Sequence, residues 1–390
     1  SEMCIRDRYW SVLNDAIGKP KRKQAGSKYF MDETGKSFTG SKEIANEFNS
    51  FFTKVGKNLA AKIIKPKEMY TKYMKENCAP SIFLQPTDEI EIRKVIMKCE
   101  GKTSTDINGI NMKLIKRIAP KIIVPLVHIC NLSIETGVFP DGMKKAKITP
   151  IYKAGEEKRF TNYRPVSLLP QLSKILEKLI NNRITKFITK NNILVNQQYG
   201  FRAKNSTSFA ILDLINKITN AQEKGEIGVG VFIDLAKAFD TLPYEILLEK
   251  LYRYGIRGTA YELMKSYLSK RKQIVQYRGV TSEQKEIERG VPQGSILAPT
   301  CFILFINDLP NIAEFMELVI FADDTNLFFS DKDKSLLMKK IKHDLSTLVD
   351  WFRSNQLSLN VKKTNYMPFI RHKEGTNIDI EGTKIKLSLI

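Results

Sequence analysis

Two adjacent acids, Asp323 and Asp324, stand in the run Leu318-Val319-Ile320-Phe321-Ala322-Asp323-Asp324-Thr325-Asn326-Leu327-Phe328-Phe329, whose other residues are mostly apolar or strand-forming. Two such runs meeting at an acidic pair predict a strand-turn-strand hairpin with carboxylates at its tip. Carboxylates held that close repel and raise each other's pKa unless a cation neutralises them. Hard divalent metals such as Mg2+ take oxygen ligands of this kind. The competing reading is an acidic turn between two core strands, and this segment alone leaves both open.

A third acid ends the run Gly228-Val229-Gly230-Val231-Phe232-Ile233-Asp234. The run reads as a buried strand, so Asp234 lies where that strand leaves its sheet, or else caps the helix that follows. A strand-end acid beside the hairpin pair makes a three-carboxylate cluster, enough to hold two Mg2+ ions. Two metals about 3.5–4 Å apart clamp the attacking and leaving oxygens of an in-line displacement at phosphorus. Between the acidic segments lies Arg289-Gly290-Val291-Pro292-Gln293-Gly294-Ser295-Ile296-Leu297-Ala298-Pro299. Its glycines allow close approach of backbone to a ligand and Pro292 fixes the turn. Alone, it is a loop before a helix.

Charge narrows the class of partner. The 390-residue chain carries 63 Lys+Arg against 42 Asp+Glu, a net charge of +21 that suits nucleic acid or an anionic surface. Its 42% apolar and 9% aromatic content is that of a globular protein with room for two or three subdomains. No uninterrupted run approaches the ~18 apolar residues of a membrane span, so no membrane association is expected. The first ten residues lack the apolar region of a signal peptide. Cys4, Cys78, Cys99, Cys130 and Cys301 are scattered, which excludes a C-x-x-C zinc unit and fits a reducing, intracellular setting. His128, His343 and His372 are equally dispersed and read as surface or structural residues.

Helices are predicted over residues 42–59, 172–188 and 300–308, with another opened by Thr87-Asp88-Glu89. A strand is predicted over residues 229–233 and a basic hairpin over residues 270–279. Such interleaving indicates an α+β fold with an antiparallel sheet. The basic patch at residues 19–23 reads as a solvated linker, with a nuclear signal as the alternative.

Seven segments occur in an order that resembles the reverse transcriptase domain of non-LTR (LINE-type) retrotransposons and, more distantly, group II intron reverse transcriptases. They are residues 147–153 with Asn162-Tyr163-Arg164-Pro165-Val166-Ser167-Leu168-Leu169, then Gln197-Gln198-Tyr199-Gly200-Phe201-Arg202, then residues 234–243. Tyr267-Leu268-Ser269-Lys270-Arg271 follows, then residues 290–299, Phe321-Ala322-Asp323-Asp324, and Leu357-Ser358-Leu359-Asn360-Val361-Lys362-Lys363-Thr364. The resemblance covers residues from about 101 onward.

What the resemblance implies is specific. Asp234, Asp323 and Asp324 match the metal-binding aspartates of a polymerase palm, with two Mg2+ ions (or Mn2+) as cofactor. Phe239 matches the aromatic steric gate that favours dNTPs over rNTPs, the alternative being a plain core phenylalanine. Gln293, with Gly294 beside it, matches the glutamine loop that contacts the incoming nucleotide. Lys153 and Arg164 match fingers residues that grip the triphosphate. Lys363 sits where a lysine can protonate the pyrophosphate leaving group, although it and Lys362 are equally read as solvated charges. Arg202, Lys270, Arg271 and Lys272 would contact template or primer phosphates. The implied partners are an RNA template, a DNA primer and dNTPs, within an element ribonucleoprotein of nucleus and cytoplasm.

The expected architecture is the fingers and palm of a right-hand polymerase, with the thumb missing or incomplete. Residues 1–100 would be a helical linker after an endonuclease that is absent here, 101–225 the fingers, and 226–390 the palm, the whole domain covering about 130–390. Departures are mild: Thr103-Ser104-Thr105-Asp106-Ile107-Asn108-Gly109 lacks the family's usual proline and first glycine, and Ala298 replaces a frequent glycine. The rival readings are a non-catalytic RNA-binding remnant and an intron maturase, the latter requiring a basic downstream segment that the sequence lacks.

Overall fold

The computed structural model describes residues 29–75 and 80–370. Cys4, Cys78, His372 and the basic patch at residues 19–23 lie outside them.

In chain order, the elements that build the site begin with helix α1 (Ser41–Ala61), helix α2 (Met112–Thr136), strand β1 (Lys145–Tyr152) and strand β2 (Tyr163–Leu168). Helix α3 (Gln171–Lys190), helix α4 (Thr207–Glu223), strand β3 (Ile227–Ile233) and the one-turn helix α5 (Ala238–Thr241) follow. Strand β4 (Arg271–Tyr277), helix α6 (Ala298–Phe305), strands β5 (Glu317–Phe321) and β6 (Asp324–Asp331), helix α7 (Lys334–Ser354) and strand β7 (Asn365–Phe369) complete the set. The predicted helices and the β3 strand are present with bounds shifted by a few residues. Asp88 caps the helix Glu89–Lys98 by accepting a 2.7 Å bond from the Glu91 amide.

Two sheets divide the labour. Four antiparallel strands in the order β7-β3-β6-β5 form the first. Val229, Val231, Ile233, Leu327 and Phe329 share one of its faces and are buried in the main core with residues of α2, α3, α6 and α7. Successive strand residues point to opposite faces. That alternation turns Asp324 and, one residue past the end of β3, Asp234 away from this core.

The second sheet joins β2, β1 and β4 with two short strands. Here β1 pairs with β2 antiparallel but with β4 parallel, so the fold is mixed in strand direction. The basic hairpin is present: β4 turns back at Arg278 and Gly279, both with left-handed φ, into Val280–Thr281. Helix α1 lays Ile44, Phe48 and Phe52 onto this sheet, where they share a core with Phe30, Ile148, Phe160, Tyr163 and Val275. The Phe48 ring meets Phe160 edge-on at 4.8 Å. Residues on both sides of the boundary expected at residue 100 therefore pack into one cluster.

Helix α2 is long and apolar enough to cross a membrane by those two criteria, although lysines and prolines keep it from being one unbroken apolar run. In the fold its Ile115, Ala119, Ile123, Leu126 and Cys130 are core residues. Of that apolar window, 33% is buried inside the fold.

Candidate active site

Strands β5 and β6 form the anticipated hairpin. Phe321 pairs with Asp324, leaving the two-residue turn Ala322-Asp323 at the tip. Ala322 holds a left-handed φ of 57°, which a Cβ makes unfavourable, so something must fix it there. The buried Gln198 does so: its Oε1 accepts from the Ala322 amide at 3.1 Å and from the Gly200 amide at 2.7 Å. The Tyr199 amide bonds to the Ile320 carbonyl, and the Ile320 amide to that of Gln197, each at 2.8 Å. Gly200 is required by space, because a Cβ there would lie 2.3 Å from the Ala322 nitrogen.

Register brings in the third acid. Thr325 faces Ile233 across β6 and β3, so one further step sets Asp324 against Asp234. Asp234 is held from its other side by the segment at 357–364. Asn360 Nδ2 donates to Asp234 Oδ2 at 2.7 Å, and the Asn360 amide bonds to the Asp234 carbonyl at 2.9 Å. The Asp234 amide reaches Thr364 Oγ1 at 3.4 Å, and Lys363 Nζ stands 3.9 Å from Asp234 Oδ2.

Electrostatics follow from this crowding. Burial first, then the Asp234 charge, raises the pKa of Asp323, with Arg164 and Lys153 acting in the opposite sense. Asp324 is raised by burial and by both other acids. Lys153 is lowered by burial, Lys363 and Arg164, with Asp234 opposing. Three cations thus ring the acids. Among the described residues, no three or more His, Cys, Asp or Glu side chains stand close enough to form a metal-binding group as placed. Asp234 and Asp324 open onto a cavity of about 680 Å³ whose walls include Ala210 and Leu214 of α4, Phe232 and Lys363.

The remaining predicted residues divide by position. Phe239 is half-buried, stacked on Phe302 at 4.8 Å and met edge-on by Phe201 at 6.5 Å. Gln293 turns its amide nitrogen to Asp240, and its carbonyl accepts from the Ser167 amide at 2.8 Å. Gly294, at φ 129°, brings the loop so near β2 that a Cβ would lie 2.5 Å from the Ser167 carbonyl oxygen. Lys270 and Lys272 are exposed. Arg202 is occupied by its own loop, donating to the carbonyls of Val195 and Gln198 at 2.7 and 3.0 Å.

Arg271 is where the phosphate-contact expectation meets a contrary geometry. It is fully buried, with its guanidinium 4.8 Å from the Tyr267 ring centre and Nη1 donating to the Tyr267 carbonyl. Strand alternation is the reason: within β4, neighbours point to opposite faces, and Lys272 has the outer one.

Sequence reasoning missed Gln198, Asp240 and Asn360, which act by holding other residues. It also missed the buried Glu177 on α3, which accepts from Ser295 Oγ at 2.6 Å and the Ile296 amide at 2.8 Å, and so anchors the glutamine loop. The signal for Asn360 and Gln198 was their place inside matched segments.

Similarity to known proteins places the chain in a family. The family model described as "Reverse transcriptase (RNA-dependent DNA polymerase)" matches residues 151–378. The chain is 32% identical over 292 residues to a protein named probable RNA-directed DNA polymerase from transposon BS of Drosophila melanogaster, covering 73% of this chain and 32% of that protein. It is 29% identical over 306 residues to the RNA-directed DNA polymerase from mobile element jockey of the same organism, covering 76% of this chain and 33% of that protein. A Pol polyprotein from the type-1 element R1 of Bradysia coprophila is 26% identical over 306 residues, covering 76% of this chain and 30% of that protein. The chain spans about a third of the length of these relatives. On the family match and these relatives together, the chain belongs to the reverse transcriptase family, in the branch carried by non-LTR retrotransposons.

Proposed function

We propose that this chain carries the fingers and palm of an RNA-directed DNA polymerase, extending a DNA primer on an RNA template with dNTPs. The observation that carries the reading is the meeting of Asp234, Asp323 and Asp324 at one sheet end, faced by Lys153, Arg164 and Lys363. The sheet β7-β3-β6-β5 would be the palm, and β1 and β2 with their helices the fingers.

In the reaction, the primer 3′ oxygen bonds to the α-phosphorus while the bond from that phosphorus to the bridging oxygen breaks and pyrophosphate leaves. The 3′ proton passes to water. Lys153 and Arg164 hold the triphosphate, offsetting its charge as the bond breaks. Lys363 hands a proton to the departing pyrophosphate and is reprotonated from solvent. Phe239 lies beneath the sugar, where a 2′ hydroxyl would collide with the ring. Exposed Lys270 and Lys272 meet nucleic-acid phosphates.

The acids fit divalent metal by their chemistry: three hard oxygen donors, two with proton affinity raised by burial first and by neighbouring like charges second. Reverse transcriptases generally use divalent metals, and Asp234, Asp323 and Asp324 would hold two Mg2+ ions here. Bound there, the ions would supply charge stabilisation to the attacking and leaving oxygens.

Primer extension on a primed RNA template tests the proposal. Asp323→Asn is expected to abolish dNTP incorporation while leaving RNA binding intact. Retained incorporation would sink the metal assignment. RNA binding without synthesis by the unmodified chain would instead favour a non-catalytic remnant.

A further inference from the structure

We infer that Asp240 is a positioning residue for the proposed polymerase reaction, fixing the Gln293 carboxamide so that its oxygen, not its nitrogen, is offered to the incoming nucleotide. The inference rests on the polymerase reading above. Gln293 Nε2 donates to both Asp240 oxygens, at 2.8 and 3.0 Å. An ionised carboxylate only accepts, so the flipped amide would set oxygen against oxygen. The amide therefore has one stable sense. Burial raises the Asp240 pKa to about 6, with Gln293 and Lys237 opposing, which leaves the group ionised at neutral pH.

The platform beneath this contact is rigid. A Cβ at Gly56 of α1 would lie 2.2 Å from the Asp240 carbonyl oxygen, and one at Gly290 would lie 2.7 Å from Asp240 backbone atoms. Helix α1 and the glutamine loop thus grip the α5 turn from two directions. The Val291 amide bonds to the Phe239 carbonyl at 2.7 Å, and the Gly290 amide to that of Leu242 at 2.9 Å. These bonds tie the steric-gate candidate and the glutamine loop into one unit. The Gln293 backbone carbonyl is committed to Ser167, and its amide nitrogen to Asp240. Its amide oxygen is what remains for a ligand. A nucleotide meeting Gln293 must therefore bring a donor, such as a sugar hydroxyl or a base amino group.

Asp240→Asn tests this, because an asparagine of nearly the same shape presents a donor as well as an acceptor and frees Gln293 to flip. Primer extension is measured for the unmodified chain, Asp240→Asn, Gln293→Met and the double variant, with thermal melting of each. Asp240→Asn is expected to raise the dNTP KM about ten-fold with kcat within two-fold, without lowering the melting temperature. In the Gln293→Met background the same change should have no further effect on KM. An unchanged KM, or an equal loss in that background, overturns the inference alone. Failure of the unmodified chain to incorporate any dNTP overturns the polymerase reading and this inference with it.

Discussion

Removing the charge of Asp240 should stabilise the protein, and by an amount that depends on pH. Burial of its carboxyl pushes the folded-state pKa up to about 6, against an unfolded value near ~3.9. Because the folded value is the higher one, the folded state binds the proton more tightly. Ionised Asp240 therefore costs stability above pH ~6, and the cost fades as pH falls toward the unfolded pKa. Two pK units correspond to about 3 kcal/mol at pH 8. Residual solvent contact makes roughly 2 kcal/mol the more realistic figure. By the same linkage about 1 kcal/mol should remain near pH ~4.5. Urea unfolding of the unmodified chain and Asp240→Asn at these two pH values reads the difference directly, provided the m-value is unchanged. The variant should be the more stable at pH 8 and should lose about half of its advantage in acid. A variant less stable at pH 8, or a difference independent of pH, would refute the reasoning. A residue kept at such a cost is one whose charge is wanted for something other than folding.

Three other outcomes follow from the packing. Lys250 and Asp308 form a fully buried pair at 2.8 Å, so Lys250→Met should cost ~3–5 kcal/mol in chemical denaturation, and Asp308→Leu added to it should recover most of that; a single-variant loss under ~1 kcal/mol would contradict the pairing. Gly200→Ala forces a Cβ against the Ala322 nitrogen, which cannot yield, so it should destabilise by ~1–3 kcal/mol and depress incorporation together. Phe239→Val should reduce discrimination between dNTP and rNTP in single-nucleotide extension by ~10-fold or more, whereas unchanged selectivity would return Phe239 to the plain core role its stacking on Phe302 also serves.

How much of this could be read in advance depended on whether the cause was local. The hairpin around Asp323 was legible because strand-forming apolar runs and an acidic break between them are local signals. Asp234 was legible for the same reason, as an acid ending an apolar strand. Helix α1 showed its stripe of Ile44, Phe48 and Phe52 plainly, but the surface that receives it, Phe160 and Val275, has no mark in the neighbouring sequence. Arg271 was misread because basic residues in a row look alike until strand alternation sends one inward. Asp240 and Gln198 escaped notice because each acts through a contact with a residue far along the chain, and a hydrogen bond across such a distance has no sequence signature.

The grip of Asn360, Lys363 and Thr364 on Asp234 has a bearing on how the protein is made. More than 120 residues separate the two partners in sequence, and a ribosome delivers the aspartate long before its anchor. Until the segment at 357–364 has left the exit tunnel, the end of β3 lacks the bonds that fix the first carboxylate. Partially translated chains, and transcripts interrupted upstream of that segment, would yield products whose sheet is nearly complete but whose acids are not aligned. The three acids should therefore come into alignment only once the segment at 357–364 has been added.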